Sequence, residues 1–151
     1  MNEAEKSIVD NIKKFGCHVN SVYDSTGESP SFTYSTGISK NYKSPEIIII
    51  GLPNKLAASV VNNYLRRIKE GEVFEIGNLY PDFLANFDIT FGPVSLDNKK
   101  EFLLSSCWFY NDDFEAIQLI FPTPSGIWPW DDEADKEYHE IQPSLAEKPE
   151  W

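Results

Sequence analysis

The chain has 151 residues, 41% of them hydrophobic and 14% aromatic, with two cysteines and a net charge of −11. A domain of this length buries roughly two-thirds of its unfolded surface, so a self-sufficient core is expected and global disorder is excluded. The charge repels nucleic-acid phosphates and anionic membranes, and the thirteen Lys and Arg form no dense stripe, which disfavours nucleic-acid and membrane-surface partners.

Asn2 with Glu5 three residues later reads as a capping box, and Ile8, Val9, Ile12 and Phe15 share a helical face before Gly16. Residues 17–23, with Val19 and Val22 among polar neighbours, predict a strand, and 24–30 a turn around Gly27. A second strand is expected over 31–38, ending at Gly37. The unbroken run Ile47-Ile48-Ile49-Ile50 predicts a central strand buried on both faces.

Asn54 can cap a second helix on which Leu56, Val60, Val61, Tyr64, Leu65 and Ile68 recur at helical spacing, with Arg66, Arg67 and Lys69 near its end. Residues 73–76 and 87–91 are shorter strand candidates. Asp97 and the residues from Lys99 to Trp108 predict a third helix, and 114–121 a last strand. Beyond Pro122, prolines 124, 129, 143 and 149 forbid long helix and favour an extended segment laid over the domain. The fold expected is α+β, one domain over 1–151. In it a mixed, mostly antiparallel sheet packs on two or three helices, and 122–151 is an acidic, Trp- and Pro-rich C-terminal segment.

Two stretches together carry a resemblance. One is Pro30-Ser31-Phe32-Thr33-Tyr34-Ser35-Thr36-Gly37-Ile38 running to Ser44-Pro45-Glu46 and the isoleucines before Gly51-Leu52. The other is Ile117-Gln118-Leu119-Ile120-Phe121-Pro122 running to Gly126-Ile127-Trp128-Pro129-Trp130. With the Gly16-Cys17-His18-Val19 step they resemble the bacterial domain of unknown function 4262 family over roughly residues 5 to 145. Cys17 stands where that family has an aromatic residue, and Thr123 where an Asp commonly follows the proline. The resemblance implies a fold and a bacterial, intracellular setting, and it supplies no catalytic residues.

Chemistry must then be read from constellations. His18 and His139 are the only histidines, and no Cys-x-x-Cys or His-Glu-x-x-His spacing is present. Cys17 and His18, adjacent on a strand, point to opposite faces, so no metal site is expected. The acids 131–137 alternate as calcium ligands would, but an EF-hand register puts Lys136 where glycine is required. Phosphate-binding glycine loops are absent. The Ser35-Thr36-Gly37 step loosely resembles the strand ends of flavin-binding split barrels, where backbone and hydroxyl donors hold a phosphate. No cofactor is nonetheless expected. Cys17 and Cys107 read as reduced, buried thiols. The N-terminus lacks the basic start and apolar block of a secretory signal, so the expected location is cytoplasmic.

The strongest functional signal is acidic. Residues 112–151 hold eleven acidic side chains against two lysines. Stiff aromatics beside concentrated charge suit protein recognition. The expected partner-binding residues are Trp128, Trp130, Asp131, Asp132, Glu133, Asp135 and Glu137. The partner would be a basic protein, in its most concrete form the active site of a cognate toxin occluded by an immunity protein. The alternative is a small-molecule or cofactor-binding domain, or an enzyme, with a pocket near His18, Tyr34 and Thr36. Association with a second copy also stays open.

Overall fold

A computed structural model describes all residues 1–151. Helix α1, Glu3–Phe15, begins at the expected box: the Glu5 amide donates to Asn2 Oδ1 and the Asn2 amide to Glu5 Oε1. It ends where Gly16 takes a left-handed φ of 98°. Strands β1, His18–Val22, and β2, Phe32–Thr36, form an antiparallel pair with His18 opposite Thr36.

The 31–38 stretch stops being a strand at Gly37, whose φ of 113° turns the chain into a five-residue helix α2, Ile38–Tyr42. The strand ends at Gly37 as expected, but a helix this short leaves no periodic trace, and the sequence did not foretell it. The turn is tight as well as left-handed. A Cβ on Gly37 would lie 2.7 Å from Ile12 Cγ1 of α1, so only glycine fits without displacement.

Strand β3, Glu46–Ile50, lies mid-sheet as expected, with every residue buried. Helix α3, Asn54–Lys69, follows; Pro53 precedes its first turn, and Asn54 is its first residue rather than its cap. Instead of capping, Asn54 Oδ1 accepts from the Thr33 hydroxyl. Leu56, read as part of the core-facing stripe, is 42% exposed.

No strand forms over 73–76. Val73 and Ile76 face solvent while Phe74 alone inserts, packing on Tyr64, Tyr80, Phe83 and Phe91. The strand lies further on, as β4, Tyr80–Leu84, which carries Pro81 and a shifted register against β5, Phe87–Pro93. Proline and a bulge are tolerated there because β4 is an edge.

The expected third helix is two helices. Leu103, fully buried, leaves helical geometry (φ −94°, ψ 58°) to reach the core between α4, Leu96–Phe102, and α5, Leu104–Tyr110. Strand β6, Ala116–Ile120, and a short helix α6, Lys136–Ile141, complete the chain. The C-terminal segment, expected to be extended, instead turns back on itself at 124–126 and 129–133 before the helix that starts after Asp135, whose carboxylate caps it by accepting from the Tyr138 amide.

The six strands run in the order β1-β2-β3-β6-β5-β4, antiparallel except for the central β3–β6 pair. Alternation along β3 splits the core. Ile47 and Ile49 pack with Val60, Val61, Tyr64 and Phe91 beneath α3. Ile48 and Ile50 pack with Tyr34, Leu103 and Phe114 on the other face.

Candidate functional site

Two polar centres stand out, one buried and one exposed. At the buried one, Glu46 opens the all-isoleucine strand with no exposed surface. Its carboxylate accepts from the Gly37, Ile38 and Ser39 amides at 3.3, 3.2 and 2.9 Å. The hydroxyls of Ser35 and Tyr110 donate to it at 2.8 and 2.6 Å. Burial pushes the carboxyl above the ordinary glutamate range, and the opposing hydrogen bonds from Tyr110, Ser39, Ser35 and Ile38 offset only part of that rise. Of the donors at the Ser35-Thr36-Gly37 step, the Ser35 hydroxyl and the Gly37 amide are engaged by this carboxylate of the chain itself, and the Thr36 hydroxyl by Ser106 and Asn20.

His18, Tyr34 and Thr36 are not gathered around one cavity. Tyr34 and Thr36 are buried. The Tyr34 hydroxyl accepts from the Ser105 amide. The Thr36 hydroxyl bonds Ser106 Oγ at 2.7 Å and accepts from Asn20. His18 sits apart on a cavity of about 480 Å³ with Asn11, Phe15, Cys17, Asn62 and Leu65. Asn11 Nδ2 lies 3.0 Å from its Nδ1, which, if the amide donates, puts the proton of a neutral ring on Nε2. Burial lowers the His18 pKa and raises the Cys17 thiol to about 12. Cys107 is raised to about 11, first by burial and then by Asp112. Both thiols are therefore protonated at neutral pH and poor nucleophiles. His139 is used structurally, its Nε2 being 2.7 Å from the Pro129 carbonyl. No three His, Cys, Asp or Glu side chains come together in a metal-holding group.

The exposed centre is the C-terminal segment, and two buried glutamines hold it to the sheet. Gln118 of β6 donates to the Pro143 carbonyl and accepts from the Leu145 amide. Gln142 accepts from the Phe121 amide and donates to the Phe121 carbonyl, both at 3.0 Å. The Tyr138 hydroxyl also reaches that carbonyl. Thr123, which stands where the resembled family commonly has Asp, closes its own turn by accepting from the Ile127 amide. Neither glutamine was singled out in the sequence, where Gln118 marked only a stretch of likeness.

Trp128 and Trp130 stack, their rings 7° from parallel with centroids 5.1 Å apart. Trp151, which the sequence reading passed over, tilts against Trp130 and donates its indole N–H to the Gln142 carbonyl. Trp128 is half-buried, and Trp130 remains 42% exposed beside Ile76 and Leu79. Asp131 is partly committed, since its Oδ2 accepts from the Trp128 amide. Asp132, Glu133, Asp135 and Glu137 are exposed. The two ion pairs of the molecule, Arg66–Glu70 and Arg67–Glu72, lie at the end of α3. None of the eleven carboxylates of 112–151 is in an ion pair.

Below this segment lies an open groove of about 580 Å³ that the sequence did not disclose. Leu56, Leu84, Phe87, Pro122, Tyr138 and Ile141 line it, together with Asp135 and Glu137 and no Lys or Arg. Its walls come from α3, the β4–β5 turn, the stretch after β6 and α6, and no sequence-local pattern links those four.

The fold is a mixed α+β sheet domain with an acidic strap across one end. Residues 11–135 match the family described as Domain of unknown function (DUF4262), and the chain belongs to that family. The match takes in the Glu46 centre and the tryptophan pair and ends at Asp135, so α6 and its side of the groove lie beyond it. No curated protein and no solved structure matches the chain. No helix is long and apolar enough to cross a membrane.

Proposed function

We propose that this protein is a non-enzymatic recognition domain for a basic protein surface, in its most concrete form an immunity protein that occludes the basic active site of a cognate toxin. The observation that carries the reading is the set of eleven carboxylates of 112–151 without ion pairs, eight of them on the segment after β6 that Gln118 and Gln142 tie down. Uncompensated charge on a fixed frame steers and selects an opposite surface without the ordering cost that a loose tail would incur. Exposed Trp130, with Ile76 and Leu79 beside it, supplies an apolar anchor within that field. Support also comes from the groups that an enzyme would recruit, since both thiols are held protonated and Glu46 is saturated with donors.

The test is association with a basic protein captured from the native organism. Trp130→Ala combined with Asp132→Ala and Glu133→Ala is expected to weaken the complex at least tenfold, about 1.4 kcal/mol, and added salt to slow its formation. Asp131 is left intact because it holds the Trp128 amide. Unchanged affinity and no salt effect would remove this face from the interface. A second reading, a small-molecule site, has the groove behind it, since about 580 Å³ falls within the roughly 300–1,000 Å³ typical of ligand pockets. A mass adduct on the purified native protein would support that reading.

A further inference from the structure

We propose that the groove between α3, the β4–β5 turn and α6 seats a segment of the partner protein that presents apolar side chains flanked by Lys or Arg. This inference rests on the reading of the protein as an acidic recognition domain, and it adds where the partner docks and by what chemistry. Leu56 and Ile141 are 42% and 41% exposed at the groove, large aliphatic side chains facing water on a folded frame. Apolar surface of this kind, rimmed by polar groups, marks interaction sites.

The charge at the rim selects the occupant. Asp135 uses one oxygen, Oδ1, to cap α6, and neither it nor Glu137 is in an ion pair. With no Lys or Arg lining the groove, an entering apolar side chain is best accompanied by a cation. A second copy of the chain is a poor occupant, because it brings another −11 of charge. The groove is also built in advance. Gln142 and Tyr138 bind α6 to Phe121. Gly51 passes so close under α6 that a Cβ there would lie 2.8 Å from the Ile141 carbonyl oxygen. A preformed groove spares the ordering cost of closing around a guest.

The experiment titrates the full-length ¹⁵N-labelled protein with four probes: a short leucine–lysine amphipathic peptide, its serine–lysine and leucine–glutamate counterparts, and dodecylamine. The leucine–lysine peptide is expected to shift the amides of Leu56, Leu84, Tyr138 and Ile141, and the other three to shift them far less. Leu56→Gln, a change on an exposed helical position, should weaken that binding about tenfold. Asp135→Asn with Glu137→Gln keeps the α6 cap, removes two charges, and should weaken binding severalfold while flattening its salt dependence. Far-UV circular dichroism and the urea midpoint check that each variant is folded.

Binding that survives Leu56→Gln and depends on Trp130, Asp132 and Glu133 overturns the groove assignment and leaves the recognition reading standing. Dodecylamine binding as tightly as the peptide overturns it in favour of a small apolar cation. Failure of both lysine peptides to bind at low salt overturns the groove assignment and speaks against the recognition reading as well.

Discussion

Glu46 and the carboxylates of 112–151 have the same chemistry and opposite circumstances. Glu46 has no exposed surface and takes five hydrogen bonds from three amides and two hydroxyls. The eleven carboxylates near the C-terminus are in no ion pair, and several face open water. A buried carboxyl is tolerated only when surrounding donors replace its hydration, whereas an exposed one keeps its water and stays available to a partner. Position therefore separates a carboxylate that organises the fold from carboxylates that can act outward, and net charge alone would have counted them as equals.

The sharpest way to break this contrast is Glu46→Ala. It leaves three amides and two hydroxyls without their acceptor, and a loss of about 3 kcal/mol or more is expected in urea unfolding. A loss under about 1 kcal/mol would show that Glu46 is a passenger. Next in size is Gln142→Ala, which leaves the buried Phe121 amide without its acceptor and the Phe121 carbonyl with the Tyr138 hydroxyl alone. Its expected cost is about 2 kcal/mol, and limited proteolysis should then cut within 122–151 before the sheet. If the segment stayed as resistant as in the parent protein, the glutamine would not be what ties it down. The smallest effect belongs to Glu133→Gln with Glu140→Gln. Stability should move by no more than about 0.5 kcal/mol, and a large drop in the thermal midpoint would mean that these acids do have partners within the fold.

Much of the fold was legible because it follows from periodicity and caps. The Asn2–Glu5 box, the buried isoleucine strand and, apart from Leu56, the stripe of α3 are local patterns, and each appears where expected. The misses have local causes. Helix α2 is shorter than two turns, and Leu103 breaks a helix because the core draws it in. Residues 73–76 contribute one inserted ring rather than a strand. Of the candidate site, the acids from Asp132 onward and the exposure of one tryptophan were within reach of sequence. The role of Glu46 was hinted at only by a charge opening a run of buried isoleucines. The groove was out of reach, because its walls are distant in the chain and Leu56 carries the same helical spacing as the core residues beside it.

The side chain of Gln142 meets both the N–H and the C=O of Phe121, so its primary amide serves β6 as a neighbouring strand one peptide unit long. Phe121 and Pro122 lie just past the last β6 residue and are buried beside the groove. Fraying of this sheet corner and undocking of α6 are thereby the same event, since neither can open without releasing that amide pair. A guest in the groove, seated against Phe121 and α6, would therefore couple its occupancy to the integrity of the sheet corner.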